Sequence, residues 1–241
     1  MNTNRKTAVM VGILFIFATV TAIIGFLLYQ PILSGTDYLV NGAIHKDQVI
    51  LGALMEMTLA VTAIGTAIGL FPILKPYGER IAIGHLFFRF LEAVIITVGI
   101  VSVMSLLTLS QDFVAAAAPD ASAYHISGTL LQAVYKWTSI FGPLFLLGIN
   151  TLMYSYLLFK SKLVPRPLTV LGLTGAALVL VYALLVMFGV VVQGSGFTLL
   201  AMPIAVYEMI LAVWLITKGF NSSAIAPASA QTATNPLLSM A

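Results

Sequence analysis

The sequence predicts an all-α, polytopic integral membrane protein with six transmembrane helices. Three observations lead to this fold class: 60% of the 241 residues are hydrophobic, only 8% are charged, and the mean hydropathy is +1.06. Because a soluble domain is typically about one-quarter charged, this chain has too few polar side chains to cover a water-facing surface. We therefore expect the fold to lie in lipid, where a spanning helix needs about 20 mostly apolar residues.

Six apolar stretches reach that length, and with their loops they make up one predicted transmembrane domain, residues 1–220. The first stretch follows Arg5 and Lys6 but is too long for the apolar region of a secretion signal, so we interpret it as a retained helix. Residues 221–241 are rich in Ser, Ala, Thr and Pro, which predicts a disordered cytoplasmic tail. The predicted spans are Ala8–Tyr29, Val49–Phe71, Ile83–Leu109, Leu131–Phe159, Leu168–Val192 and Thr198–Thr217.

Glycine, proline and polar residues indicate the connections between the spans. Polar segments at 30–48 and 110–130 follow spans one and three, whereas a short glycine turn at 193–196 joins spans five and six. Pro165 and Pro167 mark the end of span four and the start of span five, because proline is tolerated in the first helical turn but not in a helix interior.

Basic residues predict the orientation of the chain in the membrane. Eight Lys and Arg side chains fall at the N-terminus, in the second and fourth loops and just after the last span, and six spans place these positions on one side. Lys46 is the one basic loop residue on the other side, so the positive-inside rule predicts that both termini are cytoplasmic. We expect the basic side to meet anionic membrane lipids. The eight residues are Arg5, Lys6, Lys75, Arg80, Lys160, Lys162, Arg166 and Lys218.

Residue usage argues against several kinds of function. The chain has no cysteine, which excludes disulfides, thiolate metal sites and a cysteine nucleophile. A net charge of +3, scattered along the chain, offers no surface for nucleic acid. We interpret His45 and His125 as exposed loop residues rather than metal ligands, and the spans contain no histidine pair for a haem. No motif indicates a cofactor, and whether the protein is an enzyme stays open.

Five charged residues lie inside the predicted spans, where each costs roughly 2.5–3.5 kcal/mol on insertion scales. They are the best indication of function, because ionisable residues in membrane helices usually mark ligand or ion pathways. Span four adds Asn150 on the face that carries Lys136, and Gly142 and Pro143 predict an interruption of this helix. The five charged residues are Glu56, Arg89, Glu92, Lys136 and Glu208.

Depth and helical spacing sort these charges into two groups. At about 1.5 Å per residue, Glu56 and Lys136 both lie about 10 Å below the outer surface, which predicts an outer pair. Arg89 and Glu92 are i,i+3 neighbours, and Glu208 reaches a similar depth, which predicts an inner triad bridged by Arg89. One carboxylate is left over, and burial requires that it find a proton, a cation, a ligand or a donor. The candidate donors are Tyr135, Tyr154 and His85.

Two interpretations of these charges stay open. They are either interhelical ion pairs that fix the fold or the lining of a polar cavity that binds a substrate, a proton or a cation. The second leads to our first hypothesis, binding or transport of a small molecule or ion. The alternatives are a membrane-embedded enzyme acting on a lipid-like substrate with a carboxylate base, and a non-catalytic accessory or sensor protein with a structural charge cluster. The candidate site residues are Glu56, Arg89, Glu92, Lys136, Asn150 and Glu208.

Several segments together resemble a known family. They are FRFLEA at 88–93, VYKW at 134–137, LGIN at 147–150, SKLVPRPL at 161–168, YEM at 207–209 and AVWLITKGF at 212–220. This combination is similar to a bacterial membrane-protein family called domain of unknown function 4386 (DUF4386), over nearly the whole chain up to Phe220. That family usually has arginine where Lys162 stands, which keeps the charge. The resemblance implies six helices in a bacterial inner membrane, but no reaction and no residue roles.

Overall fold

The computed structural model describes residues 3–116 and 121–224 of the chain. Every regular element in that part of the chain is helical, which confirms the all-α prediction. The helices are α1 (Thr3–Leu28), α2 (Gln30–Leu33), α3 (Tyr38–Ile44), α4 (Lys46–Leu74), α5 (Glu79–Ala115), α6 (Ala121–Ile140), α7 (Leu147–Ser161), α8 (Arg166–Met187) and α9 (Met202–Thr217). The remaining elements are a π-helical segment, Phe141–Leu146, and 3₁₀ turns at Lys75–Tyr77, Gly196–Ala201 and Ser222–Ala224.

Six helical segments of the described chain are long and apolar enough to cross a membrane, so this is a multi-pass membrane protein and the six predicted spans are confirmed. The spans are α1, α4, α5, the continuous α6–α7 segment, α8, and α9 with its preceding 3₁₀ turn.

Several boundaries differ from the prediction: α5 extends to Ala115 and α6 begins at Ala121, within the segment 110–130 that was expected to be a loop. Span five was expected to reach Val192, but α8 ends at Met187, because the chain turns at Gly189 with a φ of +70° that a right-handed helix does not contain. The helices α2 and α3 lie in a segment expected to be a loop, since elements of four and seven residues are too short to give a clear periodic pattern.

Span four is interrupted where Gly142 and Pro143 predict it. Proline has no backbone N–H to donate, and the helix widens to π geometry from Phe141 to Leu146 before α7 continues. The interruption separates α6 from α7 without ending the span.

The six spans pack in sequence order as a closed ring. Each span packs on the next along the chain, and α9 returns to pack against α1. A Cβ at Gly12 of α1 would stand 2.7 Å from the carbonyl oxygen of Ala212 and 2.7 Å from Cγ1 of Ile216, both in α9. Glycine at this position therefore lets the first and last spans approach closely enough to close the ring.

The start of α1 and the end of α9 lie on one side of the ring, called the terminal side below; the opposite side is the distal side. The guanidinium of Arg5 donates hydrogen bonds to the backbone oxygens of Leu215 at 2.9 Å and Ile216 at 2.5 Å. It thereby satisfies carbonyl groups at the end of α9 that have no partner within the helix. Which side faces the cytoplasm stays a prediction from the basic residues.

The first residues of the predicted tail contact the bundle on the terminal side. The backbone N–H of Asn221 donates to the carbonyl of Leu163 at 2.8 Å, and the hydroxyl of Tyr77 donates to the carbonyl of Ala224. Residues 225–241 lie outside the described residues, so the disorder of the tail and the domain boundaries stay predictions.

The two largest apolar cores lie one in each half of the ring, and two smaller ones lie around α8. On α5, the core of the terminal half includes Ala82, and the core of the distal half begins at Ala93. Arg89 and Glu92 therefore lie between the two cores, so charged side chains separate one apolar region from the other.

Candidate functional site

Arg89 and Glu92 form a buried ion pair on α5. Nη1 of Arg89 lies 3.2 Å from Oε1 and 3.0 Å from Oε2 of Glu92, and the two side chains are 3% and 4% exposed. Nε of Arg89 donates to the carbonyl of Ala63 on α4 at 3.3 Å. The predicted pair is confirmed, since i,i+3 spacing puts both side chains on one face of a helix.

Asn150 of α7 adds a third partner to this pair. Its amide nitrogen donates to Oε2 of Glu92 and, at 3.0 Å, to the carbonyl of Leu146. Arg89, Glu92 and Asn150, called the central charge cluster below, are all buried and connect α4, α5 and α7. These are hydrogen bonds that lipid cannot supply. The geometry fits a structural role, because both members of the ion pair are satisfied inside the bundle.

Glu208 of α9 is near this cluster but does not pair with Arg89 as predicted. The two side chains interact electrostatically, yet the ion pairs within 4 Å in the described residues do not include Glu208. The predicted bridge is wrong because Arg89 directs its guanidinium to Glu92 on its own helix and to Ala63 on α4. Oε1 of Glu208 is buried, and the hydroxyl of Tyr154 lies close enough to interact with this carboxyl group.

Aromatic side chains lie close to Glu208. The ring of Tyr154 packs 5.2 Å from the ring of His85 and 6.0 Å from that of Tyr207, between ring centroids. The hydroxyl of Tyr154 is buried and interacts with the carboxyl group of Glu208. Of the other predicted donors, His85 has both ring nitrogens buried and makes no hydrogen bond to a carboxylate within the described residues.

Glu56 of α4 is paired with a tyrosine rather than with a lysine. The hydroxyl of Tyr135 on α6 donates to Oε1 of Glu56 at 3.0 Å, so the third candidate donor is confirmed. Lys136 is exposed, and within the described chain it forms no ion pair with Glu56. The predicted outer pair is wrong because neighbouring residues point about 100° apart around a helix. Tyr135 faces Glu56, and Lys136 lines a wider space.

A cavity in the distal half of the ring contains both of these residues. Its narrow chamber, of about 190 Å³, is lined by Glu56, and its wide chamber, of about 700 Å³, is lined by Lys136. The wide chamber reaches the distal end of the bundle, where the exposed residues Ser34 and Thr129 line it. Five residues line both chambers, which therefore adjoin and are together called the distal cavity below. The five are Phe26, Tyr135, Ser139, Leu144 and Gln193.

Opposite charges occupy the two chambers of the distal cavity. In the described lining, Glu56 is the acidic residue and Lys136 is the basic one. Ser139 and Gln193 line both chambers, and the hydroxyl of Ser139 accepts a hydrogen bond from the amide of Gln193 at 3.1 Å. No group of three or more histidine, aspartate or glutamate side chains in the described residues is arranged to hold a metal ion. The arrangement suits a ligand that carries its own charges.

Comparison with known families gives one result. The family described as Domain of unknown function (DUF4386) matches residues 10–219. The chain belongs to the DUF4386 family. The comparison with curated proteins and the comparison with solved structures each give no match. Family membership agrees with the membrane-spanning helical architecture, and the family's description assigns no function.

Sequence reasoning separated the charges of this DUF4386 protein by depth and gave a polar cavity as one of two interpretations, but it did not place that cavity in the distal half of the ring. Hydropathy gives the depth of a residue along its helix and says little about the direction in which it points. The signal that could have found the distal cavity is the set of polar residues near the distal ends of the spans, such as Gln132, Ser139 and Gln193, which line it together.

Proposed function

We propose that this DUF4386 protein binds a small zwitterion in the distal cavity and transports it across the membrane. One observation carries the proposal: Glu56 is a buried carboxylate that lines a cavity and has no cationic partner among the described residues. Removing a carboxylate from water without a cation is costly, and a ligand ammonium group at this position would offset that cost.

The charges of the two chambers support a ligand with both signs of charge. An ammonium group beside Glu56 also lies near the ring of Tyr135, whose face attracts cations. Lys136 in the wide chamber suits a carboxylate at the other end of the ligand. A purely cationic ligand would meet Lys136 and a purely anionic ligand would meet Glu56, so a zwitterion gives the best match of charge.

The volumes of the chambers support a small molecule. Drug-sized ligands occupy cavities of about 300–1,000 Å³. The narrow chamber, at about 190 Å³, is smaller and fits an ammonium head with a few carbons, whereas the wide chamber, at about 700 Å³, leaves room for the rest of the ligand. A bare metal ion would need several oxygen ligands, and Glu56 is the one carboxylate in the described lining.

The position of the cavity supports transport. Pro143 and Leu144 of the π segment line the narrow chamber, and discontinuous helices form the binding sites of many transporters. The central charge cluster connects α4, α5 and α7: Asn150 donates to Glu92, and Arg89 donates to the backbone carbonyl of Ala63. A cavity reached from one side is one of the two states that alternating access requires. We take the terminal side as cytoplasmic, from its basic residues, so the cavity would face outward.

The accessory-protein and enzyme hypotheses stay predictions, and each would give a different experimental result. Binding without transport would favour an accessory or sensor protein that acts through a partner. Conversion of a bound lipid-like molecule to a product would favour a membrane-embedded enzyme, with Glu56 as the carboxylate that its substrate reaches.

Calorimetric titration of the protein in lipid nanodiscs tests the ligand class. We expect ω-amino acids to bind, and the chain length that binds most tightly should report the distance between Glu56 and Lys136. The alkylamines and carboxylates of matching length should bind at least tenfold more weakly. Glu56→Gln should weaken binding of both amino acids and alkylamines, whereas Lys136→Gln should weaken binding of the amino acids alone. The matched control is Glu79→Gln, at an exposed salt bridge to Lys75, which should bind like the wild type.

Uptake of the best radiolabelled amino acid into proteoliposomes tests transport. We expect saturable uptake that Glu56→Gln abolishes. The binding proposal is wrong if none of these compounds binds, or if Glu56→Gln binds as tightly as the wild type. The transport proposal is wrong if the amino acid binds but its uptake does not exceed that of empty liposomes.

A further inference from the structure

A basic pocket of about 480 Å³ lies on the terminal side, between the α7–α8 connection and the end of α9. The hydrogen bond from the backbone N–H of Asn221 to the carbonyl of Leu163 joins its two walls. Leu163 is fully buried and Phe220 is 8% exposed, so these walls are anchored in the bundle core. The residues of this basic pocket that carry the argument are Lys162, Arg166, Trp214, Lys218, Phe220 and Asn221.

Three cations line the basic pocket without an acidic residue among the described lining. Lys162, Arg166 and Lys218 have no ion-pair or hydrogen-bond partner for their charged groups within the described chain. Three other basic residues on this side are engaged: Lys75 pairs with Glu79 at 3.1 Å, and Arg5 and Lys160 donate to backbone carbonyls. Three unpaired cations around one concave surface create a strong local attraction for anions.

One of the three cations is oriented by a neighbouring aromatic ring. The guanidinium of Arg166 lies 5.5 Å from the ring centroid of Phe159, a cation–π contact that orients it. Lys162 follows α7 with a left-handed φ of 57°, and Arg166 begins the 22-residue helix α8. The N-terminus of α8 adds the positive end of its helix dipole to the same region.

An apolar groove of about 350 Å³ continues from the basic pocket along α9. Trp214 and Lys218 line both the groove and the pocket. The groove then follows Met209, Ile210 and Val213 away from the terminal end of α9, and the last two are 46% and 55% exposed. A tryptophan between a cationic and an apolar surface is typical of the level at which lipid head groups meet acyl chains.

We propose that the basic pocket and the apolar groove together bind one anionic phospholipid. The phosphate lies among Lys162, Arg166 and Lys218, and one acyl chain lies along α9 beyond Trp214. The cations match the charge of a phosphate, and the groove continues directly from the pocket. A soluble anion has no apolar part that could occupy the groove, so a lipid is the better match. Three cations exceed the charge of a single phosphodiester, so a lipid with two phosphates is the better match.

Thermal unfolding of the full-length protein in detergent, titrated with defined lipids, tests the site. We expect cardiolipin to raise the melting temperature at the lowest concentration, phosphatidylglycerol at a higher one, and phosphatidylcholine to have no effect. Binding constants from native mass spectrometry should follow the same order. Inorganic phosphate, which has the head-group charge without the chain, should bind at least tenfold more weakly than phosphatidylglycerol.

Matched charge variants separate this site from general attraction. The triple variant Lys162→Gln, Arg166→Gln and Lys218→Gln should bind cardiolipin at least tenfold more weakly. A control triple variant with the same loss of charge, Lys6→Gln, Lys46→Gln and Arg80→Gln, should change binding less than twofold. Should the first triple variant not fold, the single variants Lys162→Gln and Lys218→Gln, both at exposed residues, should each weaken binding measurably.

Three outcomes would overturn the proposal. Equal loss of binding in both triple variants would show that only general charge attraction acts. Binding of phosphatidylcholine as tight as that of cardiolipin would remove the role of the cations. An increase in melting temperature with inorganic phosphate equal to that with phosphatidylglycerol would assign the pocket to a soluble anion. The proposal expects Val213→Ser in the groove to weaken lipid binding, and unchanged binding in this variant would likewise favour a soluble anion.

Discussion

Arg89→Met tests whether the central charge cluster holds the helices together. The substitution removes the contacts of Nη1 with both oxygens of Glu92, at 3.2 Å and 3.0 Å, and the bond from Nε to the carbonyl of Ala63 at 3.3 Å. Removing one member of a buried ion pair costs about 3–5 kcal/mol, whereas the carbonyl of Ala63 keeps the hydroxyl of Thr66 as a donor at 2.7 Å. Asn150 still donates to Glu92, so we expect the free energy of unfolding to fall by about 4 kcal/mol.

The double variant Arg89→Met with Glu92→Met should recover most of that loss. Replacing both members of a buried ion pair by apolar residues is often neutral, because no uncompensated charge is left. Asn150 then keeps its bond to Leu146. Reversible unfolding in mixed detergent micelles measures the single variants, the double variant and their coupling. A double variant that is no more stable than Arg89→Met would contradict a structural role for this pair, as would a double variant that folds but no longer binds the zwitterion.

Three further predictions concern the ring closure and the cavity. Gly12→Val should lower the free energy of unfolding by about 1–3 kcal/mol, since the added atoms overlap α9, and detergent unfolding measures this directly. Arg5→Gln should lower the free energy of unfolding by about 1–2 kcal/mol and speed hydrogen exchange at the end of α9, because carbonyl groups there lose their donor. The control variant Lys6→Gln, at the exposed neighbouring residue, should change neither quantity. Tyr135→Phe removes the hydrogen bond to Glu56 and should change zwitterion affinity severalfold, whereas an unchanged affinity would mean that the ligand does not touch this pair.

The features that could be predicted from the sequence depend on local pattern. A span is recognised from about 20 consecutive apolar residues, and the pair of Arg89 and Glu92 from their separation on one helix. The break at Pro143 follows from its missing backbone N–H, whatever lies around it. Each of these features is contained within a single helix, so a single stretch of sequence determines it.

The features that could not be predicted depend on how one helix is rotated against another. Glu56 has Tyr135 and Lys136 at almost the same depth, and only the rotation of α6 about its axis decides that the tyrosine faces it. Glu208 similarly lies near Arg89, but the guanidinium of Arg89 is directed to Glu92 and to the carbonyl of Ala63 on α4. The distal cavity arises from the spacing of several helices, which hydropathy does not encode.

The most direct test of the account is the labelling of a single thiol in the distal cavity. The chain has no cysteine, so Ser139→Cys places its one thiol where both chambers meet. We predict that a membrane-impermeant maleimide labels this thiol from the distal side of oriented proteoliposomes and that the best ω-amino acid slows labelling at least tenfold. This protection should be lost when Glu56→Gln is added. Labelling from the terminal side alone, or protection that persists without the Glu56 carboxylate, would contradict the account.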